Sequence, residues 1–321
     1  MDPARNLSPP GAKPTPRFPP VVVNRPARRT GSRIRVALLN AAGGRHFRDI
    51  AACLKRPPLD GADVILLCEI RSKPGMHESH GGKIVMHLGE SLGMSCAYIP
   101  EFGLRPPGGE LAAYMGNAIL SAAPFEDVIP VAMHRPRTPR VLPIRMRRLE
   151  RIGVPTGLVT TVKFGGKEIT VGVAHLHSRC APAERARQLA TYLESFPVAG
   201  RAIFGGDLNT TTTELTSRKK ILATARQIIA NPNRFHAPQA YEPLFDHLRD
   251  AALKIDGVNV ANRPTFTFSG LIPRRMRPKL DWLAVRDLRP IAGTAAVVTP
   301  RSRFLRWRIS DHDFITVDLE L

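Results

Sequence analysis

Short apolar runs that each close on a polar residue recur along the chain and set its plan. Ile34-Arg-Val-Ala-Leu-Leu-Asn40, Val64-Ile-Leu-Leu-Cys-Glu69 and Arg201-Ala-Ile-Phe-Gly-Gly-Asp207 share this form. Runs this short with so few interruptions predict strands buried on both faces. Between the first two, Phe47, Ile50, Ala51 and Leu54 share a helical face that Pro57-Pro58 stops. A second short helix is predicted near 83–93, followed by strands near 96–100 and 116–121.

The clearest alternation lies over 157–177. Leu158, Thr160, Val162 and Phe164 share one face, Gly165-Gly166 makes a primed turn, and Ile169, Val171 and Val173 return. The returning strand ends at His175-Leu-His177. A helix over 184–196 follows, with Leu189, Leu193 and Phe196 on one face and Pro182 near its start. Further helices are predicted near 213–230 and 242–252, and strands near 265–268, 280–285, 295–298 and 314–319. An early hairpin, many strands and helices without strict βαβ alternation predict an α+β sandwich, two packed sheets with helices outside. Residues 33–321 read as one domain. Residues 1–32 are rich in Pro and Arg and lack either period, which predicts a disordered tail outside the fold.

Composition narrows the setting. A chain of 321 residues, 43% of them hydrophobic, can bury a large core. No apolar run approaches the roughly 18 residues of a membrane span, and the start lacks the apolar stretch of a secretory signal. Cys53, Cys68, Cys96 and Cys180 are scattered, which fits buried thiols in a reducing compartment and neither a disulfide framework nor a zinc site. The chain therefore reads as cytoplasmic and, with no oligomerisation pattern, as a monomer.

Charge adds a partner class. Lys and Arg number 47 against 27 Asp and Glu, a formal charge of +20. A polyanion, nucleic acid first, would explain the surplus, and so would the composition of a GC-rich genome. The basic residues gather in the tail, over 135–151, in Arg274-Arg-Met-Arg-Pro-Lys279 and over 301–308, and the last three groups fall between predicted strands.

The candidate chemistry gathers at strand ends. Gly205-Gly206 lets the backbone turn and a ligand approach closely. Asp207 and Asn209, one residue apart, would aim a carboxylate and an amide at one point in extended chain. A carboxylate closing a buried strand needs a cation, a proton or an arginine beside it, and an ordinary Asx turn would also account for the pattern. Other strand ends bring Asn40, Glu69, His175 and Asp281, and Ser310-Asp-His312 precedes the last strand.

In this order the set resembles the endonuclease/exonuclease/phosphatase superfamily, the deoxyribonuclease-I-like fold. The likeness rests on Asn40, on Glu69 within Cys-Glu-Ile, on Gly116-Asn-Ala-Ile-Leu-Ser121, on His175-Leu, and on Gly206-Asp-Leu-Asn209. It continues in Leu280-Asp-Trp282 and Ser310-Asp-His312, and so spans residues 34–319. The resemblance implies a four-layer αββα sandwich and divalent-metal hydrolysis of phosphate esters.

Phosphodiester cleavage needs neutralised phosphoryl oxygens, a deprotonated water in line and help for the leaving oxygen. Glu69, Asp311 and the Asn40 amide are hard oxygen ligands suited to Mg2+ or Mn2+. His312 suits a general base oriented by Asp281, His175 a phosphate oxygen or the leaving group, and Asp207 with Asn209 the attacking water and the phosphate. Whether Asp207 or His312 takes the proton stays open at this level. Asn117 and Arg71 are supporting, substrate-binding candidates. His177 and His77-Glu-Ser-His80 read as loop residues. An accessory tyrosine could be Tyr98 or Tyr114, and the acidic partner of His175 could be Glu101 or Glu110. Since Asp311 and His312 would face opposite ways in a strand, Ser310-Asp-His must lie on a turn.

The expected activity is a phosphodiesterase acting on nucleic acid. A phosphoinositide, sphingomyelin or small-phosphoester hydrolase is the alternative on the same fold. A catalytically degenerate nucleic-acid or partner-binding module is a third possibility, and the intact set of carboxylates and histidines argues against it.

Overall fold

Alternation along the strands sorts the core into layers in the computed structural model. It describes residues 15–16, 18–27, 31–72, 80–136, 150–214, 218–267, 277–304 and 307–321. In chain order the first elements are β1 (Val21–Val23), β2 (Arg33–Gly43), α1 (Phe47–Cys53), β3 (Val64–Ser72), α2 (His80–Leu92), β4 (Ser95–Arg105) and β5 (Ala113–Ser121). Next come β6 (Phe125–Ala132), β7 (Glu150–Ile152), β8 (Thr156–Phe164), β9 (Lys167–His175), α3 (Pro182–Leu193) and β10 (Arg201–Asp207). The chain closes with α4 (Arg218–Ala230), α5 (Asn233–His236), α6 (Leu244–Asp250), β11 (Asp281–Arg286), β12 (Arg289–Pro290), β13 (Ala296–Val298) and β14 (Phe314–Glu320).

One sheet runs β1-β4-β5-β3-β2-β14-β12, with β13 also on β14 and β7 also on β4; the other runs β11-β10-β9-β8-β6. Ile34, Val36 and Leu38 of β2 and Val64 and Leu66 of β3 pack between the sheets against Val171, Val173, Ile203 and Leu283. Their neighbours Ala37, Leu39, Ile65 and Leu67 face outward, under Ile50 of α1 and Val85 and Leu88 of α2. On the far side Phe204, Trp282 and Ala284 meet Leu189 of α3 and Leu248 of α6. A strand's period of two thus feeds two cores at once. The expected four-layer αββα sandwich follows. No helix among the described residues is long and apolar enough to cross a membrane.

The β8–β9 hairpin closes at Phe164 and Lys167, with Gly165 and Gly166 at φ 57° and 76°, the primed turn that Gly-Gly predicts. The other glycine pair acts differently from expectation. Gly205 and Gly206 lie inside β10, and a Cβ on Gly206 would stand 1.7 Å from the Ala174 carbonyl oxygen. They make room for the neighbouring strand, and the chain turns only after Asp207.

The N-terminal expectation needs a larger correction. Residues 18–25 are docked, not a disordered tail. Val21, Val22 and Val23 pair with Tyr98, Ala97 and Cys96 of β4. Phe18 meets the Tyr114 ring edge-on at 4.9 Å, and Asn24 exchanges two hydrogen bonds with the backbone of Phe125. Three β-branched residues suit a pleated edge, and without them β4 would present an unpaired ladder. Residues 1–14 lie outside the described residues. Removing residues 1–25 should therefore destabilise the domain by about 2 kcal/mol, counting roughly 1 kcal/mol for each lost net hydrogen bond to Phe125. In a thermal melt that is a fall of several degrees; an unchanged melting temperature would refute the docking.

The strand expected near 265–268 is reduced to a single bridge between Phe266 and His312, with residue 268 outside the described residues. Strands β1, β6, β7 and β12 had no counterpart in the predicted elements.

Candidate active site

Register alone lines up three of the expected residues. Strand β10 runs parallel to β9 and antiparallel to β11, so Asp207 pairs with His175 on one side and Asp281 on the other. All three sit at the same end of the second sheet. The first sheet answers with bulges. Its ladders shift between Asn40 and Gly43, between Leu67 and Ile70, and between Pro100 and Phe102. Bulges re-aim side chains, and these lie at Asn40, Glu69 and Glu101. Glu69 holds φ 56°, a left-handed conformation costly for a residue with a Cβ.

Asp207 is the centre. Its Oδ2 accepts a hydrogen bond from Asn40 Nδ2 at 2.9 Å and lies 3.8 Å from His175 Nε2 and 3.7 Å from His312 Nε2. Each imidazole is braced from behind. His175 Nδ1 donates to Glu101 Oε2 at 2.9 Å, and His312 Nδ1 donates to Asp281 Oδ2 at 2.8 Å. Phe266 packs on the His312 ring, with centroids 4.7 Å apart. Thr265 Oγ1 accepts from the backbone N–H of Leu280 and of Asp281, fixing the strand end that carries the carboxylate. Ser310 donates its hydroxyl to the Asn40 carbonyl and accepts from the His312 N–H. These bonds shape the turn that the opposed directions of Asp311 and His312 require, and β14 begins only at Phe314.

Asp207, His175 and His312 are each less than 5% exposed, so their charges act in a poorly screened space. Burial pushes both imidazoles down, but their carboxylates outweigh it. Glu101 above all lifts His175 to about 9, and Asp281 with Asp207 lifts His312 to about 10. Burial raises Asp207 to about 6, while the two imidazolium groups and the Asn40 amide restrain it. At neutral pH the cluster holds two protonated imidazoles facing one carboxylate.

Beside the cluster opens a cleft of about 560 Å³ whose lining includes Glu69, Asp311, Arg45, His46, Arg71 and Arg308. Glu69 Oε1 lies 3.6 Å from His175 Nε2. Burial raises the Asp311 carboxyl, and Glu69 adds to the rise. Among the described residues no hydrogen-bond donor from another side chain or backbone reaches either carboxylate. Two such carboxylates in one cleft fit a hard divalent cation. Asn40 fits less fully: its amide nitrogen serves Asp207, and its Oδ1 already accepts from the Ala42 N–H at 3.0 Å. Its second lone pair remains for a cation. Asp207, Asp281 and His312 also bring their ligand atoms within 4.8 Å of one another. There, however, Asp281 holds Nδ1 of the imidazole and Asp207 faces Nε2, an arrangement for moving protons.

Other candidates sit elsewhere. Asn117 is fully buried and donates to the Thr156 carbonyl at 2.9 Å, tying β5 to the start of β8, while its Oδ1 finds no partner. Asn209 takes φ 50°, donates its backbone N–H to Asp207 Oδ1 and its amide to the Leu176 carbonyl. The Asx turn and the candidate catalytic carboxylate are thus the same residue. Glu101, not Glu110, braces His175. Tyr98 places its hydroxyl against Ile70 and Ser72, and Tyr114 packs on Phe18; among the described residues neither hydrogen-bonds to the cluster. His177 accepts from the Arg179 N–H in its loop. Of the basic stretch 135–151, residues 137–149 lie outside the described residues, as do residues 77–79, while His80, expected to be a loop residue, opens α2.

A model of the endonuclease/exonuclease/phosphatase family matches residues 37–312. No curated protein is significantly similar in sequence. An endonuclease/exonuclease/phosphatase from Beutenbergia cavernae superposes with a TM-score of 0.55 and 20% identity, covering 92% of this chain and 72% of that one. A family protein from Leptotrichia buccalis gives 0.55 and 14%, over 90% of this chain and 100% of its own. D. rerio TDP2, complexed with single strand DNA product, gives 0.52 and 16%, over 91% and 100%.

Proposed function

Because the chain belongs to the endonuclease/exonuclease/phosphatase family, whose members hydrolyse phosphoester bonds, we propose that it is a Mg2+- or Mn2+-dependent phosphodiesterase acting on nucleic acid. The observation that carries this reading is the placing of Asp207 Oδ2 within 4 Å of two braced imidazole Nε2 atoms, at the edge of a cleft lined by the carboxylates of Glu69 and Asp311. Glu69, Asp311 and the remaining lone pair of Asn40 would hold a divalent cation, which when bound would neutralise charge at the phosphoryl oxygens. The protein's own groups handle the protons. Asp281 turns Nε2 of His312 toward Asp207, so the two share one proton-handling centre for the attacking water. Asp207 is oriented by Asn40 and by the Asn209 N–H to accept from that water. His175, fixed by Glu101, presents an N–H to a phosphoryl or leaving oxygen. Asn209 holds the backbone between Asp207 and Leu176, and Asn117 ties β5 to the start of β8.

Charge favours nucleic acid. Arg45 and Arg71 line the cleft without a carboxylate partner among the described residues, and the chain carries a formal +20. That D. rerio TDP2, similar in fold, holds a DNA strand points the same way. Binding of DNA by the EDTA-treated protein should weaken steeply with salt, by roughly 0.9 in log K per unit log salt for each duplex phosphate neutralised. Replacing Arg45 and Arg71 with Ala should flatten the slope by about one for each lost phosphate contact, for all sequences alike. Fluorescence anisotropy at several salt concentrations measures this, beside a hydrolysis panel of DNA, RNA, phosphoinositide vesicles and a small phosphodiester. A shallow slope with faster turnover of the lipid or small ester would overturn the nucleic-acid assignment.

A further inference from the structure

The segment between β13 and the Ser310-Asp-His turn carries two large rings that the fold leaves in water: Phe304 is 83% exposed and Trp307 53%. The segment's described residues, 299–304 and 307–309, are held at several points. A bridge between Arg301 and Arg308 closes it, and Ser302 N–H donates to the Trp307 carbonyl at 2.8 Å. Arg303 N–H donates to Asp49 Oδ1 of α1 at 2.9 Å. Trp307 stands edge-on to His46, with centroids 6.3 Å apart. His46 lines the candidate active cleft together with Arg45, Arg71 and Arg308. Trp307 therefore stands beside a residue that lines the cleft in which a phosphate would sit.

Their surroundings say what they meet. The Arg303 guanidinium lies over the Phe304 ring at 5.5 Å from its centroid. Arg303 thus brings positive charge to Phe304, and Arg45 and Arg71 bring it to the cleft that His46 lines, while Arg308 pairs with Asp313. Aromatic faces interleaved with arginines are the chemistry of strand binding: the rings take bases and the cations take backbone phosphates. Bases in a continuous duplex are stacked on one another and offer only their edges in the grooves, so an isolated ring on a cleft rim can stack only on an unpaired base.

We propose that Trp307 is a stacking platform for unpaired nucleobases next to the scissile phosphate, to which Phe304 adds a second exposed ring. The substrate class is then single-stranded or frayed nucleic acid, not continuous duplex. Stacking needs only the face of a base, so DNA and RNA strands should both be taken. This rests on the phosphodiesterase reading above.

The chain has two tryptophans, and Trp282 is buried at 1% exposure, so a change in indole emission on adding an oligonucleotide reports Trp307. The EDTA-treated protein would be titrated with a single-stranded DNA, a single-stranded RNA and a blunt duplex DNA of one length, following emission and the anisotropy of a labelled strand. Both single strands should quench the emission, and Trp307→Phe should remove the quenchable part. Trp307→Ala should bind single strands about tenfold more weakly, within the range for one lost base stack, and Phe304→Ala should weaken them less. Both variants should bind duplex as wild type does and keep the wild-type melting temperature, since neither ring is part of the core. Single-strand binding that leaves the emission unchanged, or is unaltered in Trp307→Ala, would overturn the platform while leaving the phosphodiesterase reading intact. Failure of the wild type to bind any of the three would overturn both.

Discussion

Asp281→Asn should hydrolyse the best phosphodiester substrate at least a hundredfold more slowly than wild type while remaining folded, and His312→Ala should lose more. Removing a positioned general acid–base group typically costs on the order of 10²–10⁴ in rate. Asp281 is fully buried and bonds His312 Nδ1 through one oxygen, while its other oxygen has no partner. Asparagine keeps the shape and removes the charge, so the loss reads the charge on the imidazole rather than a collapsed strand. The titration of His312 should report the same change. With Asp281 it sits at about 10; without it burial dominates and the ring should titrate far lower, which side-chain NMR of the imidazole nitrogens would show. The sign for stability follows. A histidine raised above its ordinary 6.5 contributes stability that is fully present below that pH and is lost as pH rises through about 10. Any gap in melting temperature between wild type and Asp281→Asn should therefore narrow toward pH 10. Wild-type rates in both variants would show that this pair takes no part in the chemistry.

Mg2+ or Mn2+ should raise the melting temperature of the wild type and leave that of Glu69→Ala unmoved. A ligand bound only by the folded state adds about 2.7 kcal/mol at a hundred times its dissociation constant, several degrees for a domain of this size. The variant should also be inactive, and EDTA should silence the wild type. Glu69 is well placed for a large effect, because it faces Asp311 across the cleft with no competing hydrogen bond among the described residues. Full activity in excess EDTA, or an equal thermal shift in Glu69→Ala, would remove the cation from these two carboxylates.

The sequence disclosed what is local. Runs closing on His175 and Asp207 mark strand ends, Gly165-Gly166 marks a turn, and the adjacency of Asp311 and His312 demands another, whereas β2 and β3 run on past Asn40 and Glu69 through bulges. What it withheld depends on register between distant strands. No motif names Glu101 over Glu110 as the partner of His175, and Glu101 meets it from the bulged stretch of β4 between Pro100 and Phe102. Gly206 reads as a turn residue until the Ala174 carbonyl is found beside it. Val21-Val-Val23 sits in a proline-rich stretch without period, and its strand exists because β4 offers an edge. Asn117, grouped with the substrate on motif alone, bridges the two sheets through Thr156.

Three polar pairs at the centre of the site each join one sheet to the other. Asn40 of β2 reaches Asp207 of β10, Glu101 of β4 reaches His175 of β9, and His312 beside β14 reaches Asp281 of β11. Either sheet alone would hold one half of each pair and no complete dyad. During refolding, then, a collapsed chain with its strands formed but its sheets unregistered would be catalytically silent, and the return of turnover would time the final locking of one sheet upon the other.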